Sequence, residues 1–174
     1  HDAPCAIRYP RRAVPDPGLP GALPPYASPD VTSWDVIRNG TDVALLAIGH
    51  MVFFAARAAE LLDEMGISCA VVDACAIRPI DRRTLHSFAA SAGSIVTLED
   101  HVLSGGFGSA VAEELLSNGV DAHLLRIGVP DAFVEHGTLD ELYRELGWQP
   151  AQLATRIASW LECRPPDTPD KPDV

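Results

Sequence analysis

Between residues 42 and 163 short unbroken apolar runs alternate with longer amphipathic ones, and that rhythm predicts the elements. "DVALLAIGH" (42–50) has the length and continuity of a strand buried on both faces. "ISCAVVDA" (67–74), "SIVTLED" (94–100) and "DAHLLRIG" (121–128) follow as three further strands. Residues 51–65 put Val52, Ala55, Ala56, Ala59 and Leu62 on one helical face, with Gly66 placed to cap the end. Asp81 is the N-cap of a short helix through about Ala90, and the helix past Gly108 aligns Phe107, Ala110, Val111 and Leu115. Thr138 and Glu141 have capping-box spacing ahead of a helix with Leu139, Leu142, Tyr143 and Leu146 on one face. Pro150 opens a last helix that turns Leu153, Ile157, Trp160 and Leu161 inward. Strands and helices alternating in this way predict a mostly parallel α/β sheet with helices on both faces.

The flanks break the rhythm. Residues 10–29 are rich in proline, which fixes φ and removes donors, so they read as an extended linker. "RPPDTPDKPDV" at the other end reads as a loose tail. The opening "HDAPCAIRYP" reads as the end of something that came before. The expected division is therefore 1–33 as the end of a preceding domain plus linker, 34–163 as the α/β domain, and 164–174 as tail.

Composition narrows the class of partner. A chain of 174 residues with 47% hydrophobic content supports one core. Its formal net charge of −11 argues against nucleic acid or an anionic membrane as the main partner. Cys5, Cys69, Cys75 and Cys163 have no CxxC spacing, and Cys69 and Cys75 fall in or beside an apolar run. Buried reduced thiols and a cytoplasmic setting are expected from that. No apolar run approaches the roughly 20 residues of a membrane span, and no signal-peptide pattern opens the chain.

Candidate chemistry gathers at strand ends. His101 follows Glu99 by two residues at the C-terminal end of a strand, where open α/β sheets place ligands, and can serve as acid or base. The bland alternative is a histidine that bonds the following turn or touches a second subunit. Gly105, Gly106 and Gly108 can present amides to a phosphate, with Ser109 adding a hydroxyl, or can simply let the chain pack tightly. His50 in "GHMV" stands at a second strand-to-helix turn and reads as a satisfied or surface histidine. Arg8, Arg11 and Arg12 flank Tyr9 and Pro10; arginine forks suit phosphate or carboxylate, and a solvated basic corner is the alternative. Asp131, Glu135 and His136 in one loop suggest a metal only weakly, and helix entry accounts for them equally. There is no GxSxG elbow, HExxH, P-loop or paired cysteine ligand set, so residue chemistry alone describes an α/β domain without a self-sufficient active site.

The ordered segments "AIRYPR", "DVALLAIGHMV", "AVVDACAIRPID", "IVTLEDHVLSGGFGSAVAEEL" and "IGVPDAFVEHGTLDELYRELG" resemble the C-terminal domain of the 1-deoxy-D-xylulose-5-phosphate synthase family, within the transketolase superfamily, over residues 4 to 147. The last two segments are the most specific; "IRPID" alone fits equally the beta subunit of a 2-oxoacid dehydrogenase, which uses lipoyl partners. The resemblance implies a five-stranded sheet, mostly parallel with one antiparallel edge strand. It implies a dimeric transferase in which two preceding domains, in cis or in trans, hold thiamine diphosphate and Mg2+; their GDG motif and activating glutamate are not in this sequence. The implied reaction joins the two-carbon unit of pyruvate, after loss of carbon dioxide, to glyceraldehyde 3-phosphate, toward non-mevalonate isoprenoids, thiamine and pyridoxal. By the same resemblance Arg8 or Arg11 binds the acceptor phosphate, the glycine turn serves helix packing and subunit contacts, and His101 lies near an interface. No catalytic residue is expected in the chain itself. The remaining alternative is a stand-alone, non-catalytic partner module. Two departures stand out: the family usually reads RYPRG where Arg12 replaces the glycine, and VVDAR where Cys75 replaces the arginine.

Overall fold

The computed structural model of the chain describes residues 32–163. Strands β1 (Asp35–Arg38), β2 (Val43–Ala47), β3 (Cys69–Asp73), β4 (Ser94–Val102) and β5 (His123–Val129) form one sheet in the order β1-β3-β2-β4-β5. β2 runs parallel to both β3 and β4, and β5 runs parallel to β4; β1 closes the other edge antiparallel to β3. The helices are α1 (Met51–Glu64), α2 (Arg82–Ser91), α3 (Phe107–Ser117), α4 (Leu139–Glu145) and α5 (Pro150–Glu162).

Every residue of β2 and β3 is buried, as a sheet sandwiched between helices requires. Alternating side chains feed two separate cores. Val43, Leu45 and Ala47 pack with Cys69 and Val71 under α1 and α5. Ala44 and Leu46 pack with Ala70, Val72 and Ile95 under α2 and α3. Tyr143 and Trp148 join the first core, so α4 caps the α1/α5 side.

The helix ends follow their local chemistry. The Asp81 carboxylate accepts from the Thr84 amide at 3.0 Å and its hydroxyl at 2.7 Å, and also from the Trp34 amide at 3.0 Å. It thus ties the entry of the chain to the start of α2. Burial alone would raise the Asp81 pKa, but these hydrogen bonds outweigh it and hold the carboxyl below its ordinary value. Thr138 and Glu141 form the expected capping box. Gly66, just past α1, has a φ of +81°, which favours glycine.

The structure corrects several expectations. The first strand ends at Ala47, because Gly49 turns at φ +62° and His50 already caps α1. β4 runs on to Val102, and β5 spans His123–Val129. On α1, Ala58 is buried and Ala56 only partly so, while Ala110 on α3 is also partly buried. Leu139 is exposed, since it opens α4 at the surface. Cys69 is buried as expected, but Cys75 is exposed: β3 ends at Asp73 and the chain leaves the core there. β1, with two exposed and two half-buried residues, gives no apolar run of its own; the fifth strand came from the resemblance alone. The linker at 10–29 and the tail at 164–174 lie outside the described residues.

Candidate functional site

In a sheet ordered β1-β3-β2-β4-β5 the chain winds outward in opposite directions from β2 and β4, and the crevice beyond their C-terminal ends is where such folds place ligands. That crevice holds His50, just past β2, and Asp100, in β4. His50 Nε2 lies 3.4 Å from Asp100 Oδ2 and 3.0 Å from the Tyr143 hydroxyl. The His50 ring stacks on Tyr143, with centroids 5.9 Å apart, and meets Phe54 edge-on at 6.2 Å. A histidine beside a carboxylate and a phenol can hold or pass a proton. Asp100 and Tyr143 were not singled out from sequence. The acidic pair Glu99-Asp100 was the available signal for the first, whereas Tyr143, 93 residues from His50, gave none.

Glu99, next to Asp100 in the chain, points to the opposite side and is 1% exposed. Its two oxygens accept from the amides of Phe107 at 2.6 Å and Gly108 at 2.9 Å. The carboxylate therefore satisfies the first orphan donors of α3 and sits at the positive end of its dipole. Gly106 is the N-cap, and a Cβ there would lie 2.1 Å from Glu99 Oε2 and 2.5 Å from the Val102 carbonyl oxygen. A Cβ on Gly108 would meet Thr97 Oγ1 at 2.5 Å. Gly105 has nothing near its Cβ position; its φ of +73° is what calls for glycine. The Ser109 hydroxyl accepts from the Gly105 amide at 3.1 Å and from Arg126 at 3.0 Å, and donates to the Leu103 carbonyl at 2.7 Å.

Of the glycine amides that made this turn a candidate phosphate cradle, that of Gly108 is taken by the chain's own Glu99 and that of Gly105 by Ser109. His101 is exposed beside this turn, its Nδ1 3.1 Å from the Val102 carbonyl oxygen, and has no contact with His50 in the described hydrogen bonds. Asp131, Glu135 and His136 are exposed ahead of the α4 cap, and among the described residues no three His, Cys, Asp or Glu side chains are grouped to hold a metal ion. Arg8, Arg11 and Arg12 lie outside the described residues.

Cys75 has its Sγ 3.6 Å from the Asp73 carbonyl oxygen and 4.0 Å from an Asp35 carboxylate oxygen. Desolvation, then the charges of Asp73 and Asp35, push its thiol above the ordinary value. Burial, reinforced by Asp63, drives buried Cys69 up to about 12. Neither is an activated nucleophile. No helix among the described residues is long and apolar enough to cross a membrane.

Comparison with known proteins accords with this architecture. The family described as "Transketolase, C-terminal domain" matches residues 32–153. The chain is 38% identical over 162 residues to the 1-deoxy-D-xylulose-5-phosphate synthase of Synechococcus sp. (strain WH7803), covering 93% of this chain and 25% of that protein. It is 42% identical over 164 residues to the synthase of Acaryochloris marina, covering 94% and 26%. The chain thus spans about a quarter of the length of these relatives. A solved structure described as a split gene transketolase, inactive beta4 tetramer, superposes with a TM-score of 0.73 at 34% identity, covering 83% of this chain and 48% of that one. With its sheet order, one antiparallel edge strand and matched residues, the chain belongs to the transketolase C-terminal domain family.

Proposed function

We propose that this chain is the C-terminal domain of a 1-deoxy-D-xylulose-5-phosphate synthase, a packing and dimerisation domain without its own catalytic centre. The observation that carries the reading is the 38–42% identity to such synthases across more than nine-tenths of the chain. The geometry supports it, because at the turn between β4 and α3 the amides of Phe107 and Gly108 are taken internally by Glu99. Thiamine diphosphate and Mg2+ belong to preceding domains in this reading, and the cofactor supplies the carbon chemistry when bound there. This chain contributes position: Arg8 or Arg11 takes the phosphate of glyceraldehyde 3-phosphate, residues 1–33 and 164–174 act as linker and tail around the 34–163 domain, and the surface around His101 meets a neighbouring subunit. The setting is cytoplasmic.

A second reading, a partner acting in trans, is favoured by one observation: the likeness to a chain described as part of a split gene transketolase. The intact mass of the native protein from its source cells separates the two. A mass several-fold above 18.6 kDa supports a single polypeptide, to be assayed with pyruvate and glyceraldehyde 3-phosphate. A mass near 18.6 kDa supports the trans reading and directs the assay to a complex with the chain that carries thiamine diphosphate. An enzyme that transfers to lipoyl partners instead of the sugar phosphate contradicts both.

A further inference from the structure

On the α2/α3 face, away from the His50 corner, the loop after β3 and helix α3 line an open cleft of about 730 Å³, within the size range of small-molecule sites. Arg78 and Arg82 line it together with Glu113, Glu114 and Asn118. The positive charge there is concentrated: Arg78, Arg82 and Arg83 fall in six consecutive residues of an otherwise acidic chain.

One of these arginines, Arg82, is tethered, with its side chain still 70% exposed. Glu114, its side chain only 10% exposed, receives Arg82 Nε at 2.9 Å and the Asn118 amide nitrogen at 2.7 Å, with His86 Nε2 at 3.5 Å. Holding the guanidinium by Nε fixes its plane and leaves its two terminal nitrogens for another acceptor. The Glu114 charge is consumed in that grip. Arg78 is exposed and has no hydrogen-bond or ion-pair partner among the described residues. Across the cleft, the exposed Glu113 is an acceptor for hydroxyl donors.

We infer that this cleft binds a small phosphate monoester of a polyol, its phosphate between Arg78 and the terminal nitrogens of Arg82 and a hydroxyl on Glu113. Two arginine forks suit the doubly charged phosphate, and the carboxylate wall disfavours a bare anion relative to one that brings hydroxyl donors. The inference does not depend on the acceptor-phosphate role given to Arg8 or Arg11.

The test is a titration of the full 174-residue chain with glycerol 3-phosphate, followed by backbone amide NMR at low ionic strength. Saturable shifts are expected at Arg78, Ile80, Arg82, Glu113 and Asn118, with tighter binding than inorganic phosphate. Arg78→Ala, at an exposed position without a partner to lose, should weaken binding by about tenfold or more. In the double variant Arg8→Ala/Arg11→Ala the shifts at these five residues should persist. Absence of shifts at these residues, equal affinity for inorganic phosphate, an unaffected Arg78→Ala variant, or loss of these local shifts in the Arg8/Arg11 variant would each overturn the assignment.

Discussion

The carboxylate of Glu99 lies 2.6 Å from the amide nitrogen of Phe107, closing the start of α3 from inside the protein. The contact joins residues eight apart on either side of the glycine turn, and it engages the turn's first helical amide from within the chain. A buried carboxylate is held there by amides and by the helix dipole, so its removal leaves two donors without a partner. Glu99→Ala should cost about 3 kcal/mol in chemical denaturation. Glu99→Gln, which keeps the shape but supplies only one acceptor oxygen, should cost less.

The glycines around that contact separate steric from conformational demand. Gly106→Ala sets a methyl on the Glu99 carboxylate and a backbone carbonyl, and should lower stability by about 2 kcal/mol or more. Gly105→Ala meets no neighbour and should cost about 1 kcal/mol, through its positive φ alone. Thermal unfolding of the two variants side by side gives the order; equal losses would contradict the packing account.

How much of this was legible beforehand follows from the range of the interactions involved. The Asp81 cap, the Thr138/Glu141 box and Gly66 are local, and each stands in the sequence within four residues of its partner or helix end. β1 was illegible from periodicity because a four-residue edge strand with two exposed and two half-buried residues carries no apolar run. The amide-rich turn was legible as a pair of alternatives only. Glu99 was noted for its nearness to His101; alternation puts the two on one face, but burial fades along β4, so Glu99 is still covered while His101, past the irregularity in the pairing with β5, emerges at the surface. The His50, Asp100 and Tyr143 grouping depends on strand order, which a linear pattern does not specify.

Asp81 should make the fold acid-sensitive in a defined window. Its folded pKa is below the ordinary 3.8, so its contribution is present above that value and is lost as pH falls below it through the folded pKa. Asp81→Ala should cost about 1 kcal/mol or more near neutral pH. Denaturation curves from pH 5 downward should converge with those of the wild type once Asp81 is protonated; parallel curves would count against the cap.

The thiols give the opposite, alkaline prediction. Cys69 stays protonated in the fold up to about 12 against an ordinary 9.0, so the unfolded chain loses its proton first and stability falls as pH rises across that interval. The slope is at most about 1.4 kcal/mol per pH unit from this group. Cys69→Ala should remove that part of the slope in urea titrations between pH 9 and 11. Exposed Cys75 should react with a disulfide reagent at a rate still climbing as pH passes 9.0, because its thiol is also raised.

The central claim is that this chain serves as a C-terminal domain, supplying structure to a catalytic centre held by other domains. Its most direct test replaces the C-terminal domain of the Synechococcus WH7803 synthase with this chain, joined at the matching position. Formation of 1-deoxy-D-xylulose 5-phosphate from pyruvate and glyceraldehyde 3-phosphate is then measured for the chimera, for the truncated synthase and for this chain alone. The account predicts turnover by the chimera and none by either part. Turnover by this chain alone, or a folded, cofactor-loaded chimeric dimer without activity, would contradict it.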